Sequence, residues 1–114
     1  MNTITTHVLD TSNGRPAAGM PVSLERESAP GTFSAVASGV TNDDGRVRDL
    51  LPPGEHLSPG VYRMVFDTAA YFQASRLEGF YPVVWVQFSV RTTAQHYHIP
   101  LLLSPFGYST YRGS

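Results

Sequence analysis

Turn-forming residues interrupt this chain so often that long elements have no room. Asn13-Gly14, Pro30-Gly31, Asp43-Asp44-Gly45, Pro52-Pro53-Gly54, Pro59-Gly60 and Phe106-Gly107 separate short runs rich in valine, threonine, tyrosine and phenylalanine. Glycine supplies the positive φ, and proline the fixed φ, that tight turns need. Such signals at short intervals read as an antiparallel sandwich or barrel. The runs predict strands over 3–10, 20–26, 33–39, 46–50, 61–67, 82–92, 95–103 and 107–112, enough for two sheets of four. One segment departs from the pattern: Asp67-Thr68 is a capping pair ahead of helix formers, and predicts one short helix over 68–76.

At 114 residues the chain fits a single domain, 1–114, which should bury about two-thirds of the surface its unfolded form exposes. Charged residues make up only 15% of it, so part of the surface is expected to meet protein rather than water. The net charge is −1 and the eight basic residues, all arginine, are scattered, which argues against nucleic acid as a partner. Any cation in a site must then be a guanidinium, which stays protonated and cannot shuttle a proton. With no cysteine, thiolate chemistry and disulfides are excluded, and histidine is left as the main acid/base group. No apolar stretch approaches membrane-spanning length, and the opening MNTITTHVLD lacks the pattern of a signal segment. The expectation is a soluble cytoplasmic protein with no membrane partner.

Period-two alternation sorts the strand faces. Tyr97, Ile99, Leu101 and Leu103 point one way as core, whereas His96, His98, Pro100 and Leu102 point the other. His7 shares a side with Thr5 and Leu9, opposite Ile4 and Val8. Two strands thus each present histidine on a face that need not be core. Pro100, lacking a backbone donor, is a residue of sheet edges and bulges and puts the ladder near His98 in question. Two chemistries are open to His7, His96 and His98: an H-x-H pair with a third histidine suits zinc, and unperturbed imidazoles suit metal-free acid/base work. The second needs a charge stabiliser, and the tight turn Asn42-Asp43-Asp44-Gly45 would hold Arg46 at a fixed angle. A sandwich filled by its own side chains has little internal space, so a concave site is more easily made where two copies meet.

Several segments together resemble a known family. They are Thr5-Thr6-His7-Val8-Leu9-Asp10, Asn13-Gly14-Arg15-Pro16-Ala17, the Asp44-Gly45-Arg46 turn, the run HYHIPLLLSP over 96–105, and the ending Tyr111-Arg112-Gly113-Ser114. They resemble the 5-hydroxyisourate hydrolases, the transthyretin-related enzymes of urate breakdown, over nearly the whole chain. The resemblance implies a prealbumin-like sandwich that opens the ring of 5-hydroxyisourate to 2-oxo-4-hydroxy-4-carboxy-5-ureidoimidazoline. It also implies a homotetramer, a dimer of dimers with sites between dimers, and neither metal nor organic cofactor. His7, Arg46, His98 and Ser114 are the implied catalytic residues. Tyr111, Arg112 and Gly113 join His7, Arg46 and Ser114 in holding the substrate. The alternative is a transthyretin-like small-ligand binding protein without catalysis, which should lack this set.

Overall fold

The computed structural model describes residues 4–92 and 95–113. Eight strands and one helix follow in chain order: β1 (Ile4–Asp10), β2 (Arg15–Pro16), β3 (Pro21–Ala29), β4 (Thr32–Val40), β5 (Gly60–Phe66), α1 (Thr68–Ala74), β6 (Val84–Val90), β7 (Tyr97–Ser104) and β8 (Gly107–Thr110). They form two four-stranded sheets, ordered β2-β1-β7-β8 and β4-β3-β5-β6. The sandwich expected from the turn signals is therefore observed, with its one short helix.

Alternation decides which way each strand faces. Ile4, Val8, Leu101 and Leu103 pack inward from the first sheet against Leu24, Met64, Phe66 and Val84 from the second, all at 0–1% exposure. Burial of this kind is the main favourable term in folding. On β1 and β7 the intervening Thr5, His7 and His98 are only partly buried and line the outer face of the first sheet.

Two strand assignments need correction. Residues 46–50 are not a strand: Arg46 makes a single antiparallel bridge to His7, and the chain then turns away. Val47, Leu50 and Leu51 are the buried positions there, a spacing of three and one rather than two, and Asp49 has φ 52°. The eighth strand is instead β2, pairing Leu9 with Pro16 and Asp10 with Arg15. Its two residues are too few to show alternation. Pro16 sits on the sheet edge, where its missing N–H costs no ladder bond.

Pro100 lies on β7, an interior strand. The β7–β8 ladder runs from Ser104↔Gly107 to Leu101↔Thr110, lapses at Pro100, and returns in the same register at His98↔Gly113. Thr110 Oγ1 donates to the Pro100 carbonyl at 2.6 Å across the lapse.

Helix α1 starts where Asp67 accepts a hydrogen bond from the Ala70 N–H at 3.1 Å, an N-cap. It ends as Arg76 turns left-handed (φ 57°), with Leu77 N bonded to Phe72 O and Arg76 N to Gln73 O, the bonding pattern of a Schellman cap. The helix carries Tyr71 to the inward end of β1. There the Tyr71 hydroxyl donates to Asp10 Oδ2 at 2.6 Å, while Ser12 donates to Oδ1 through its N–H at 3.0 Å and its hydroxyl at 2.5 Å.

Asp10 is 1% exposed. Burial pushes its carboxyl up, but the bonds from Ser12 and Tyr71 outweigh burial and hold it below its ordinary 3.8. Tyr71 is pushed up to about 12 by burial and by the bond to, and charge of, Asp10. Asp10's contribution to stability is present above its unfolded value and is lost as pH falls through the lower folded one. That of Tyr71 is present below 10.0 and lost as pH rises toward about 12. Tyr71→Phe, which removes a hydrogen bond to a buried charge, should cost about 1.5–3 kcal/mol. Denaturant titrations across pH should show the gap from the parent protein widest between 3.8 and 10.0 and narrowing on both sides. A gap independent of pH would mean that the pair carries no charge-linked stability.

Candidate active site

Strand β1 lies parallel to β7, with Thr5 opposite His98 and His7 opposite Pro100. This register places the outward side chains of the first and last long strands beside one another. Thr5 Oγ1 lies 2.8 Å from His98 Nδ1 and 2.9 Å from His96 Nε2. The two histidines of the H-x-H run therefore converge on one hydroxyl, on the face that alternation assigned them.

Arg46 reaches this face from the turn at 42–45. Asn42 organises the turn: its N–H donates to Arg46 O at 2.7 Å, its O accepts from Gly45 N at 2.9 Å, and its Oδ1 accepts from Asp44 N and Arg46 N. The turn is clamped to β1 because Val8 N donates to Gly45 O at 2.8 Å. Only glycine fits at Gly45, with φ 75° and a Cβ that would stand 2.3 Å from Val8 O. That close approach puts Arg46 in register with His7.

The tail closes the other side. Gly113 N donates to His98 O at 2.9 Å, and a Cβ on Gly113 would sit 2.3 Å from His98 Cδ2. Arg112 is anchored by Nη2 on Gln95 Oε1 at 2.8 Å, with its guanidinium carbon 5.1 Å from the Tyr97 ring centre. Tyr111 is exposed. Ser114 lies outside the described residues.

His98 titrates below the ordinary imidazole value of 6.5. Burial is the largest cause, followed by the positive charge of Arg46 and then by His7 and His96, while a hydrogen bond to the Thr5 backbone acts the other way. A neutral imidazole thus stands near a permanent guanidinium, a proton acceptor beside an anion stabiliser. The structure brings His7, Arg46, His98 and Gly113 together. It directs the Arg112 side chain to Gln95 and Tyr97, so this residue's visible work is to fasten the tail.

Two hollows flank the histidines. Thr5, Thr6, Arg46, Val47, Arg48 and Asp49 line one of about 380 Å³. His98, Tyr97, Thr110, Tyr111 and Arg112 border another of about 310 Å³, with β6 as its far wall. Neither hollow contains Arg46 and His98 together, so one copy of the chain leaves the face open. No group of three or more histidine, aspartate or glutamate side chains is arranged to hold a metal among the described residues. Thr5 is the residue that sequence reasoning passed over. Alternation placed it beside His7, but its contact with His98 depends on the β1–β7 register, which no local pattern reveals.

Known proteins resemble this chain closely in sequence and backbone. A 5-hydroxyisourate hydrolase of Salmonella dublin is 43% identical over 113 residues, covering 99% of this chain and 82% of that protein. The solved 5-hydroxyisourate hydrolase of Klebsiella pneumoniae superposes with a TM-score of 0.85 at 36% identity, over 99% of this chain and 100% of that one. Transthyretin from Sparus aurata superposes at 0.91 with 32% identity, over 99% and 97%. Backbone shape alone therefore does not separate the hydrolase from transthyretin, and the outward side chains must. The family model described as HIUase/Transthyretin family matches residues 4–113. A match that runs from the first described residue to the last leaves no element of the sandwich outside it, and the chain belongs to the HIUase/Transthyretin family.

Proposed function

We propose that this chain hydrolyses 5-hydroxyisourate in urate breakdown, cleaving the N1–C6 bond of the six-membered ring to give 2-oxo-4-hydroxy-4-carboxy-5-ureidoimidazoline. The relatives named for this activity support the reading. The observation that carries it is the neutral His98 imidazole held near Arg46 and His7 on the outer face of the sheet. A face built only to hold a small ligand has no need of a base with a depressed pKa.

In this reading His98 takes a proton from water as the oxygen bonds to C6. Charge moves onto the carbonyl oxygen, where Arg46 stabilises it. As the tetrahedral centre collapses, the N1–C6 bond breaks and N1 receives a proton from the histidine pair, with His7 as relay. Tyr111 and Ser114 position the substrate, while Arg112 and Gly113 hold the tail as a wall. The chemistry needs imidazole, guanidinium and hydroxyl, and neither metal nor organic cofactor. The working form is a cytoplasmic homotetramer, a dimer of dimers. The open hollows support this, as do exposed aromatic residues such as Phe80 at 68% and Trp85 at 57% exposure.

The experiment is to generate 5-hydroxyisourate from urate in situ and to follow the acceleration of its ultraviolet decay. His98→Ala should lower the rate by about 10²–10⁴-fold, the usual cost of losing a general base. The acidic limb of kcat/KM for the parent enzyme should lie below 6.5, since His98 resists protonation. A folded variant working at the parent rate would remove His98 from the chemistry. Arg46→Lys keeps the charge but loses the planar fork of donors, and should reduce kcat by about 10²–10³-fold. A change confined to KM would mean that Arg46 binds substrate and transition state equally. Activity should also survive exhaustive chelation; loss to chelator with recovery on adding zinc would replace the metal-free reading.

A further inference from the structure

Thr5 Oγ1 is shared between two imidazoles, and the hydrogen inventory limits how. A hydroxyl has one proton to give and two lone pairs, and a neutral imidazole has one donor nitrogen and one acceptor nitrogen. Which nitrogen of a histidine carries the proton is set by the bond that the other makes. The hydroxyl meets His98 at Nδ1 and His96 at Nε2. If it accepted the Nε2 proton of His96 and donated to His98 Nδ1, the His98 proton would sit on Nε2. That nitrogen could not act as a base.

We propose that Thr5 is a positioning residue whose hydroxyl accepts the Nδ1 proton of His98 and donates its own to Nε2 of His96, so that His98 presents an unprotonated Nε2 to the substrate. The proposal rests on the reading of His98 as the base. Three features hold the arrangement. Thr5 is paired with His98 in the β1–β7 ladder, and the next residue, Thr6, donates from Oγ1 to Ile99 O at 2.7 Å, so the backbone beneath the hydroxyl is fixed. As a β-branched residue, Thr5 has restricted χ1 freedom. The Gly113 backbone packs against Cδ2 of His98, and a half-turn of the ring would exchange that carbon with Nδ1 and break the bond to Thr5.

The test is nitrogen-resolved NMR of the histidine rings, with His98→Ala assigning the His98 signals, in the parent protein, Thr5→Ser and Thr5→Val. The parent and the serine variant should show His98 protonated at Nδ1 at neutral pH. The valine variant should shift His98 toward the other tautomer. In the decay assay it should lose about 10–100-fold in kcat, the typical cost of removing the partner that orients a histidine at a metal site, with KM little changed. Thr5→Ser should recover most of that loss. Three results would overturn the proposal: a parent His98 protonated at Nε2, a valine variant that keeps both tautomer and kcat, or a serine variant as impaired as the valine one. The first needs no variant of Thr5 to fold. A fully active His98→Ala protein whose parent still carries the Nδ1 proton would sink the base assignment while upholding Thr5's hold on the ring, so the two failures are separable.

Discussion

The parallel pairing of β1 with β7 is the constraint on which the rest depends. Every other strand pair among the described residues is antiparallel, and this one joins the beginning of the chain to its end across seven residue pairs. Side chains alternate across a strand, so a slip of one residue would exchange the two faces. The register that buries Ile4 and Val8 beside Leu101 and Leu103 is therefore the register that sets Thr5 against His98. Core and site are specified together, and a change that loosened the core pairing would disperse the histidines as well.

Two glycines convert this frame into a site. At Gly45 the turn touches the carbonyl of Val8, and at Gly113 the tail touches the ring of His98. In both places a side chain would push a neighbouring segment off the sheet by the distance that matters for a proton transfer. Segments outside the ladders thereby acquire the precision of strands. The Asn42 network does the same for Arg46, whose backbone is fixed from both sides although its side chain is exposed.

Much of this was legible in the sequence, for physical reasons. Turn dipeptides fixed where strands stop, and alternation fixed which histidines face outward, because both are local effects. No strand forms over 46–50 because Val47, Leu50 and Leu51 are buried by a turn, without the period of two that a pleat needs. β2 escaped notice because two residues carry no period at all. Register, and with it the role of Thr5, was hidden because pairing partners more than ninety residues apart leave no trace in either segment. The contacts of Arg112 with Gln95 and Tyr97, which fasten the tail, likewise leave no local sign in the terminal motif.

The likeness to transthyretin, at least as close in backbone as the likeness to the hydrolase, shows that function here is not a property of the fold. It lies in the opposite electrostatics of the two faces of β1. Inward, Asp10 is buried, but its hydrogen bonds from Ser12 and Tyr71 prevail and it stays ionised. Next to the outward face, burial and the charge of Arg46 prevail over the hydrogen bond to the Thr5 backbone, and the neutral form of His98 is favoured. The difference is one of surroundings: a carboxylate among N–H and O–H donors favours its charged form, whereas burial, and then a nearby guanidinium, favour the neutral imidazole. The anion that ties the helix to the sheet and the base proposed to activate water thus lie on opposite sides of the first sheet, one biased toward its charged form and the other toward its neutral form.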